Sequence, residues 1–318
     1  MIELTVSNYT GSYTGLNKHT SLNISRLDLA RALVCVGKRS WSGVFDSGIF
    51  RIGELICKAL AFSQVKSGGL KLHERFFDLN QSEKITVSYY LGQGLTKLYA
   101  EKLLGVKWLL HVDDYDHLIQ YHKKGTASAK ITVGTTKKVA ERPDLVGIVS
   151  KNESHFFEAK GRSTGYDRNE MQHAINQVSQ VKQYNGAIPK TAAACYFDLS
   201  STPIKGYIID PENDGFGIDF LLNEEEALYE YYSFFREGQS EFQDRFQYGN
   251  HTFYTTPVGV PNIHFGFDER LLKMSSADLL SNGLRYEELE SNRQGDNQST
   301  FSVGADGLIL FDRSPSII

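Results

Sequence analysis

The sequence predicts an α/β protein built on a mixed β-sheet with helices against its faces. Three observations lead there. From Ser82 onward the apolar patterning runs helix, strand, strand, strand, helix, strand, strand, an alternation that folds as a sheet covered by helices. Apolar residues at 41% and charged residues at 23% of 318 are the balance of a globular chain, long enough for one large domain or two modest ones. No apolar run reaches the ~18 residues that span a bilayer. The opening MIELTVSNYTGS lacks the charged-then-apolar layout of a signal peptide. No membrane is therefore expected, and the expected compartment is the cytoplasm, where the scattered Cys35, Cys57 and Cys195 would stay reduced.

Residues 1–81 read as a mixed, partly helical N-terminal scaffold. Met1–Ser7 alternates like a short strand. Asn23 or Ser25 suits the N-cap of a helix through Leu27, Ala30, Leu33 and Val34, closed by Gly37. Ile49, Ile52, Leu55, Ile56 and Leu60 recur at helical spacing and predict a second helix over 49–61.

Residues 82–211 form the predicted core. Ser82 to Gly105 reads as one helix, or as two divided at Gly92 and Gly94. Glu101 on it is either an auxiliary acid facing the chemistry or half of a charge pair with Lys97 at i−4. Lys107–Val112 is a compact apolar strand. The acids after it (Asp113, Asp114, Asp116) lack the glycine and spaced ligands of a calcium loop and read as a solvated strand end. Asp144–Ser150 and His155–Lys160 read as neighbouring strands joined by a turn at 151–153. Asp167 suits the N-cap of an amphipathic helix running to Tyr184, with Asn185-Gly186 ending it. Thr191–Leu199 and Gly206–Asp210 are two more buried-type strands.

Residues 212–318 read as an acidic α+β extension. Asn223 followed by Glu224–Glu226 starts a helix rich in Tyr and Phe, a short helix lies near Ser276–Leu280, and Asp306-Gly307 turns a terminal hairpin. From Gly215 onward seven basic residues stand against seventeen acidic ones, a balance that repels DNA and suits a protein partner or self-restraint. The stretch from His122 to Arg142 is the opposite. Lys123, Lys124, Lys130, Lys137, Lys138 and Arg142 face Glu141 alone, either as a basic approach for a phosphate backbone or as a solvated loop.

The chemistry concentrates between Arg142 and Tyr184. Side chains two apart on a strand point the same way, so Glu158 and Lys160 share one face while Phe157 and Ala159 share the other. If Asp144 lies beside the end of the Glu158 strand, two carboxylates and an ammonium converge. Two carboxylates with open water positions suit Mg²⁺, which acidifies water and neutralises developing charge. Lys160 would position or deprotonate that water, or stabilise the transition state. Gln180 and Tyr184, at i and i+4 on the expected helix, would orient water or phosphate, with Gln177 and Gln183 competing for the glutamine's place. The structural alternatives are a turn cap for Asp144, a surface ion pair for Glu158 and Lys160, and plain helix surface for Gln180 and Tyr184. HExxH and GxxxxGK[ST] do not occur.

Pro143-Asp144, then Glu158-Ala159-Lys160, then Gln180-Val181-Lys182-Gln183-Tyr184 together resemble the PD-(D/E)xK nuclease superfamily. The last segment is similar to the QxxxY motif of its RecB-like and λ-exonuclease branch. The resemblance covers about residues 82–210 and implies a restriction-endonuclease-like core. It further implies Mg²⁺, with Mn²⁺ able to substitute, held by Asp144, Glu158 and the Ala159 carbonyl, with Glu101 as the helical acid of many members. Lys160 would be the catalytic lysine, with Gln180 and Tyr184 beside it, and Arg162 would join the basic residues in contacting nucleic acid. The implied activity is hydrolysis of DNA phosphodiesters to 5′-phosphates, as the cutting subunit of a bacterial restriction or antiphage system. A motor or sensor partner, or a homo-oligomer formed through the acidic C-terminal region, would complete it. The rival readings are a nuclease fold that binds or assembles without cutting, and an RNase.

Overall fold

The computed structural model describes residues 1–37, 49–66, 68–123, 130–131, 142–211, 217–284, 286 and 300–313. In chain order these form β1 (Ile2–Ser7), β2 (His19–Leu22), α1 (Arg26–Cys35), β3 (Val36–Gly37), α2 (Phe50–Phe62), β4 (Ser63–Lys66), β5 (Gly69–Leu72), α3 (Gln81–Leu104) and β6 (Trp108–His111). There follow β7 (Ile119–Lys123), β8 (Lys130–Ile131), β9 (Leu145–Ser150), β10 (Glu153–Arg162), α4 (Arg168–Val178), β11 (Val181–Tyr184), β12 (Thr191–Asp198) and β13 (Lys205–Ile209). The C-terminal part adds β14 (Ile218–Leu222), α5 (Glu224–Glu237), β15 (Asp244–Tyr248), β16 (His251–Pro257), β17 (Ile263–Asp268), α6 (Ser276–Asn282), β18 (Phe301–Val303) and β19 (Leu308–Asp312).

Local chemistry sets the helix starts. Ser25 and Asp28 exchange side-chain and backbone bonds at the head of α1, and Asn80 and Glu83 do the same for α3. Asp167 caps α4, Asn223 caps α5 and Ser275 caps α6. α3 is a single helix of 24 residues that ends at Gly105, whose φ of 70° closes it in the left-handed region. Gly92 and Gly94 do not break it. They are points of close approach: a Cβ on Gly92 would lie 2.6 Å from the Gly161 nitrogen, and one on Gly94 2.9 Å from Leu33 Cδ2. The glycines let α3 settle onto β10 and α1.

The central sheet has the order β2-β1-β13-β12-β10-β9-β6-β3 and is mixed. β10 lies near its middle, antiparallel to β9 and parallel to β12. The two faces of β10 are covered by different helices. Gly161 touches α3, whereas Met171, Ala174 and Val178 of α4 pack on Ala194 and Tyr196, the register partners of Glu158 and Lys160. Residues 160 and 161 alternate in direction, so α3 and α4 sit on opposite faces. A smaller sheet (β11-β14-β7-β8), an antiparallel five-stranded sheet (β15-β16-β17-β19-β18) and the β4–β5 hairpin complete the described strands.

The boundaries expected near 82 and 211 do not separate cores. β1 pairs with β13 and β3 with β6, so the first 37 residues supply strands to both flanks of the same sheet. One contiguous apolar cluster runs from Ile2 through Leu98 to Phe311. Among the described residues no helix is long and apolar enough to cross a membrane.

Two consequences are measurable. A Cβ on Gly161 would lie 2.1 Å from the Ser88 carbonyl oxygen and 2.9 Å from the Gly92 nitrogen, both backbone atoms of α3. Gly161→Ala must push helix and strand apart, with an expected loss of about 1–3 kcal/mol in a urea unfolding curve. An unchanged midpoint would show that the helix has room to move.

His155 lies fully buried on β10, its Nδ1 2.8 Å from Thr191 Oγ1, and burial pushes its pKa down to about 4. A histidine depressed below its unfolded value of ~6.5 supports the fold fully above that pH. The support disappears as pH falls through the folded value, a loss of about 3 kcal/mol. His155→Gln is expected to flatten the pH dependence of stability between those two values, as read from denaturation at a series of pH values.

Candidate active site

β9 and β10 form a hairpin whose pairing places Leu145 opposite Phe157, which brings Asp144, just outside β9, level with Glu158. Asp144 is held from both sides. Its N–H donates to Glu158 Oε2 at 3.0 Å, and its carbonyl accepts from the Val112 N–H at 2.8 Å, just past the end of β6. Glu158 has no exposed surface, and its other oxygen, Oε1, accepts from Lys160 Nζ. The Lys160 side chain keeps 16% of its surface exposed. Two carboxylates and an ammonium thus meet at one end of the β9–β10 hairpin, on the face that α4 covers.

The electrostatics follow from burial. Desolvation first, and the neighbouring Asp144 charge second, push the Glu158 carboxyl up to about 8, against the opposing pull of Lys160 and the Asp144 N–H. A buried carboxylate beside another carboxylate is short of positive charge, and the available donors are hard oxygens. That chemistry fits a divalent cation such as Mg²⁺, which takes carboxylate and carbonyl oxygens and keeps waters of its own. Among the described residues no three side chains of His, Cys, Asp and Glu converge into a ready-made cage. The donor set is Asp144, Glu158 and the main chain at Ala159 between Glu158 and Lys160.

Two groups flank the site from the helices. On α3, Tyr89 OH lies 3.0 Å from His111 Nε2 and accepts from Gln93 Nε2 at 2.7 Å. Burial and the Asp144 charge raise its phenol above the ordinary range. None of the three was singled out in the sequence. The only local signal is the i,i+4 spacing of Tyr89 and Gln93, because the strand that brings His111 to them is a tertiary partner. On α4, Gln177 Nε2 donates to the Arg142 carbonyl at 3.3 Å, two residues before Asp144, and its Oε1 is buried without a partner.

The glutamine and tyrosine expected on one helical face are placed otherwise. α4 ends at Val178, so Gln180 lies beyond it, with Nε2 3.5 Å from the Asn176 carbonyl. Tyr184 is on β11, which pairs in parallel with β14 and matches Val181 to Ile218 and Tyr184 to Phe220. Burial against a strand outweighed the helical spacing, and valine and tyrosine suit a strand. Tyr184 packs on Phe156 and donates to Glu224 Oε1 at 2.8 Å. Asn185 and Gly186, at φ of 49° and 80°, turn the chain from Tyr184 back to Ala187 rather than ending a helix.

Glu101 also lies apart from the site. It accepts from Arg31 at 2.6 and 3.2 Å and sits 3.4 Å from Lys97, eight residues beyond Gln93 and so ~12 Å further along the helix. The pairing with Lys97 is present, with Arg31 as the closer partner. Arg142 is bracketed by Asp113 and Asp116 and donates to Tyr121 OH at 2.6 Å, so its charge is already neutralised. Asp113 and Asp116 are therefore latches for the chain entering β9. Arg162 pairs with Glu170 at 2.8 Å. Lys123 and Lys130 lie on β7 and β8, while Lys124, Lys137 and Lys138 fall outside the described residues. Comparisons with protein-family models, curated proteins and solved structures return no match.

Proposed function

We propose that this chain is a Mg²⁺-dependent nuclease with a restriction-endonuclease-like core that hydrolyses DNA phosphodiester bonds. The observation that carries the reading is the convergence of Asp144, Glu158 and Lys160 through the Asp144 N–H and the Lys160 ammonium on a single buried carboxylate. The order of elements supports it: α3, then β6, β9 and β10 as antiparallel neighbours, then α4, then β12 parallel to β10.

In this reading Asp144, Glu158 and the Ala159 carbonyl hold the ion. Bound there, Mg²⁺ supplies Lewis acidity, an acidified water and neutralisation of charge on the phosphate. Lys160, on the same face as Glu158 and open to solvent at one end, orients the attacking water and offers its proton donors to the pentavalent phosphate. Gln177, with a buried unpartnered Oε1 beside the chain leading to Asp144, accepts a hydrogen bond from that water. Tyr89 and His111 pair on the α3 side, within reach of the Asp144 charge.

The test is a cleavage assay with the purified chain on linear duplex, circular and single-stranded DNA and on RNA, each with Mg²⁺ and with EDTA. Metal-dependent cutting of DNA is the expected result. Cutting confined to RNA would replace the substrate. Tight binding of every substrate without cutting, also in the presence of cell extract, would favour a module that binds or assembles.

A further inference from the structure

We infer that the Lys160 ammonium is the resident counter-ion of the two-carboxylate site: it occupies the place at Glu158 Oε1 that a divalent cation would take, and it must swing away for that cation to be held. The inference rests on the reading that Asp144 and Glu158 hold such an ion, and it does not require that the chain cut anything.

Four features carry it. Glu158 is wholly buried, and a buried carboxylate persists as an anion only with a charge partner and hydrogen bonds. Both its oxygens are already engaged, Oε2 by the Asp144 N–H and Oε1 by Lys160 Nζ. A divalent ion binds carboxylate oxygen at about 2.1 Å, closer than an ammonium sits, so both cannot share one side of Oε1. Like charges that close in a site shielded from water repel strongly. Finally, Lys160 has somewhere to go. It lies two residues from Glu158 on one strand face, ~7 Å along the chain, so its four-carbon stem bends back to reach the carboxylate. Its side chain keeps 16% of its surface exposed, so an ammonium released from Glu158 would have solvent to move toward.

One residue therefore serves two states. Without the ion, Lys160 keeps Asp144 and Glu158 from repelling each other and holds the site assembled. With the ion in place, the displaced ammonium stands beside the bound oxygens, where a water or phosphate would meet it. The same contact lowers affinity for the ion, because part of the binding free energy goes into expelling the ammonium.

The experiment is calorimetric titration of Mn²⁺, with Mg²⁺ as competitor and no nucleic acid, into the full chain at pH 8. Lys160→Met and Lys160→Gln remove the charge, the second keeping a donor for Glu158, and Lys160→Arg keeps the charge. The two neutral variants are expected to bind Mn²⁺ about tenfold more tightly than the parent, and the arginine variant no more tightly. Asp144→Asn is expected to bind more weakly than the parent. Equal or weaker binding in both neutral variants overturns the inference. If the parent still cuts DNA with Mg²⁺ in that case, the nuclease reading stands alone. Tighter binding in the neutral variants of a chain that cuts no substrate upholds the counter-ion and removes the nuclease. No Mn²⁺ binding by any form overturns the inference together with the proposed ion site.

Discussion

Asp144→Ala and Lys160→Ala are each expected to lower Mg²⁺-dependent cleavage about a thousandfold, within the ~10²–10⁴ range of a positioned proton-transfer or charge-stabilising group. Single-turnover rates at saturating Mg²⁺ are the measurement, since they report the chemical step rather than product release. The two variants should differ in stability in opposite senses. Removing Asp144 takes away the charge that helps push Glu158 upward, so the fold should be unchanged or slightly firmer. Removing Lys160 leaves Glu158 buried without the ammonium that opposes its desolvation, so the carboxyl is pushed further upward and loses a hydrogen-bond donor. A modest fall in melting temperature is expected, without unfolding. Tyr184→Phe supplies the contrast. Its ring packs on Phe156 and its hydroxyl bonds Glu224, not Asp144, Glu158 or Lys160, so cleavage should stay within about threefold while stability drops by about 1–2 kcal/mol. A Tyr184→Phe variant that folds normally yet loses as much activity as Lys160→Ala would mean that the catalytic group has been assigned to the wrong residues.

Arg31→Met is expected to have the largest effect on stability, about 3–5 kcal/mol, because it strands buried charges rather than deleting a surface pair. Arg31 is fully buried on α1. It holds Glu101 at 2.6 and 3.2 Å and Ser302 at 2.9 Å, and lies 4.0 Å from Asp306. Lys97 sits 3.4 Å from both Glu101 and Asp306, Tyr231 donates to Asp306 at 2.9 Å, and Ser302 donates to Asp28 at 2.7 Å. The cluster ties α1 and α3 to the β18–β19 turn, and without Arg31 its carboxylates are left with Lys97 alone as a cation from the set. Urea unfolding of Arg31→Met, Glu101→Gln and the double variant should give a strongly non-additive cycle, the double variant being more stable than the two single losses predict. Additive losses, or a single loss below about 1 kcal/mol, would show that the cluster contributes little coupling.

What was legible in the sequence was what nearest neighbours along the chain decide. Alternation on a strand puts Glu158 and Lys160 on one face whatever surrounds them, so the E-x-K geometry followed from spacing alone. Caps behave likewise: Ser25, Asp167 and Asn223 start helices because their side chains reach backbone N–H groups two or three residues on. The Asp306-Gly307 hairpin is equally local, with Gly307 at a φ of 85°. The mixed sheet itself was visible as an alternation of elements.

The remainder depended on pairings between residues far apart in sequence. Val181 and Tyr184 fit a helical face as well as a strand face, and the presence of β14 more than thirty residues later decided between them. Spacing favours Gln180 over Gln177 and Gln183, whereas it is Gln177 whose side chain reaches the entry to β9, at the Arg142 carbonyl. Gly92 leaves one helix or two open in the sequence because nothing nearby announces the Gly161 backbone that it accommodates. Glu101 had an obvious partner one turn away, yet the charge that holds it most closely comes from α1, seventy residues earlier. By itself, then, the sequence determined the helix caps, the order of helices and strands in the central sheet, and the shared face of the candidate catalytic pair. Tertiary structure decided which other side chains join that pair, because burial and long-range pairing select among local conformations that are nearly equal in free energy.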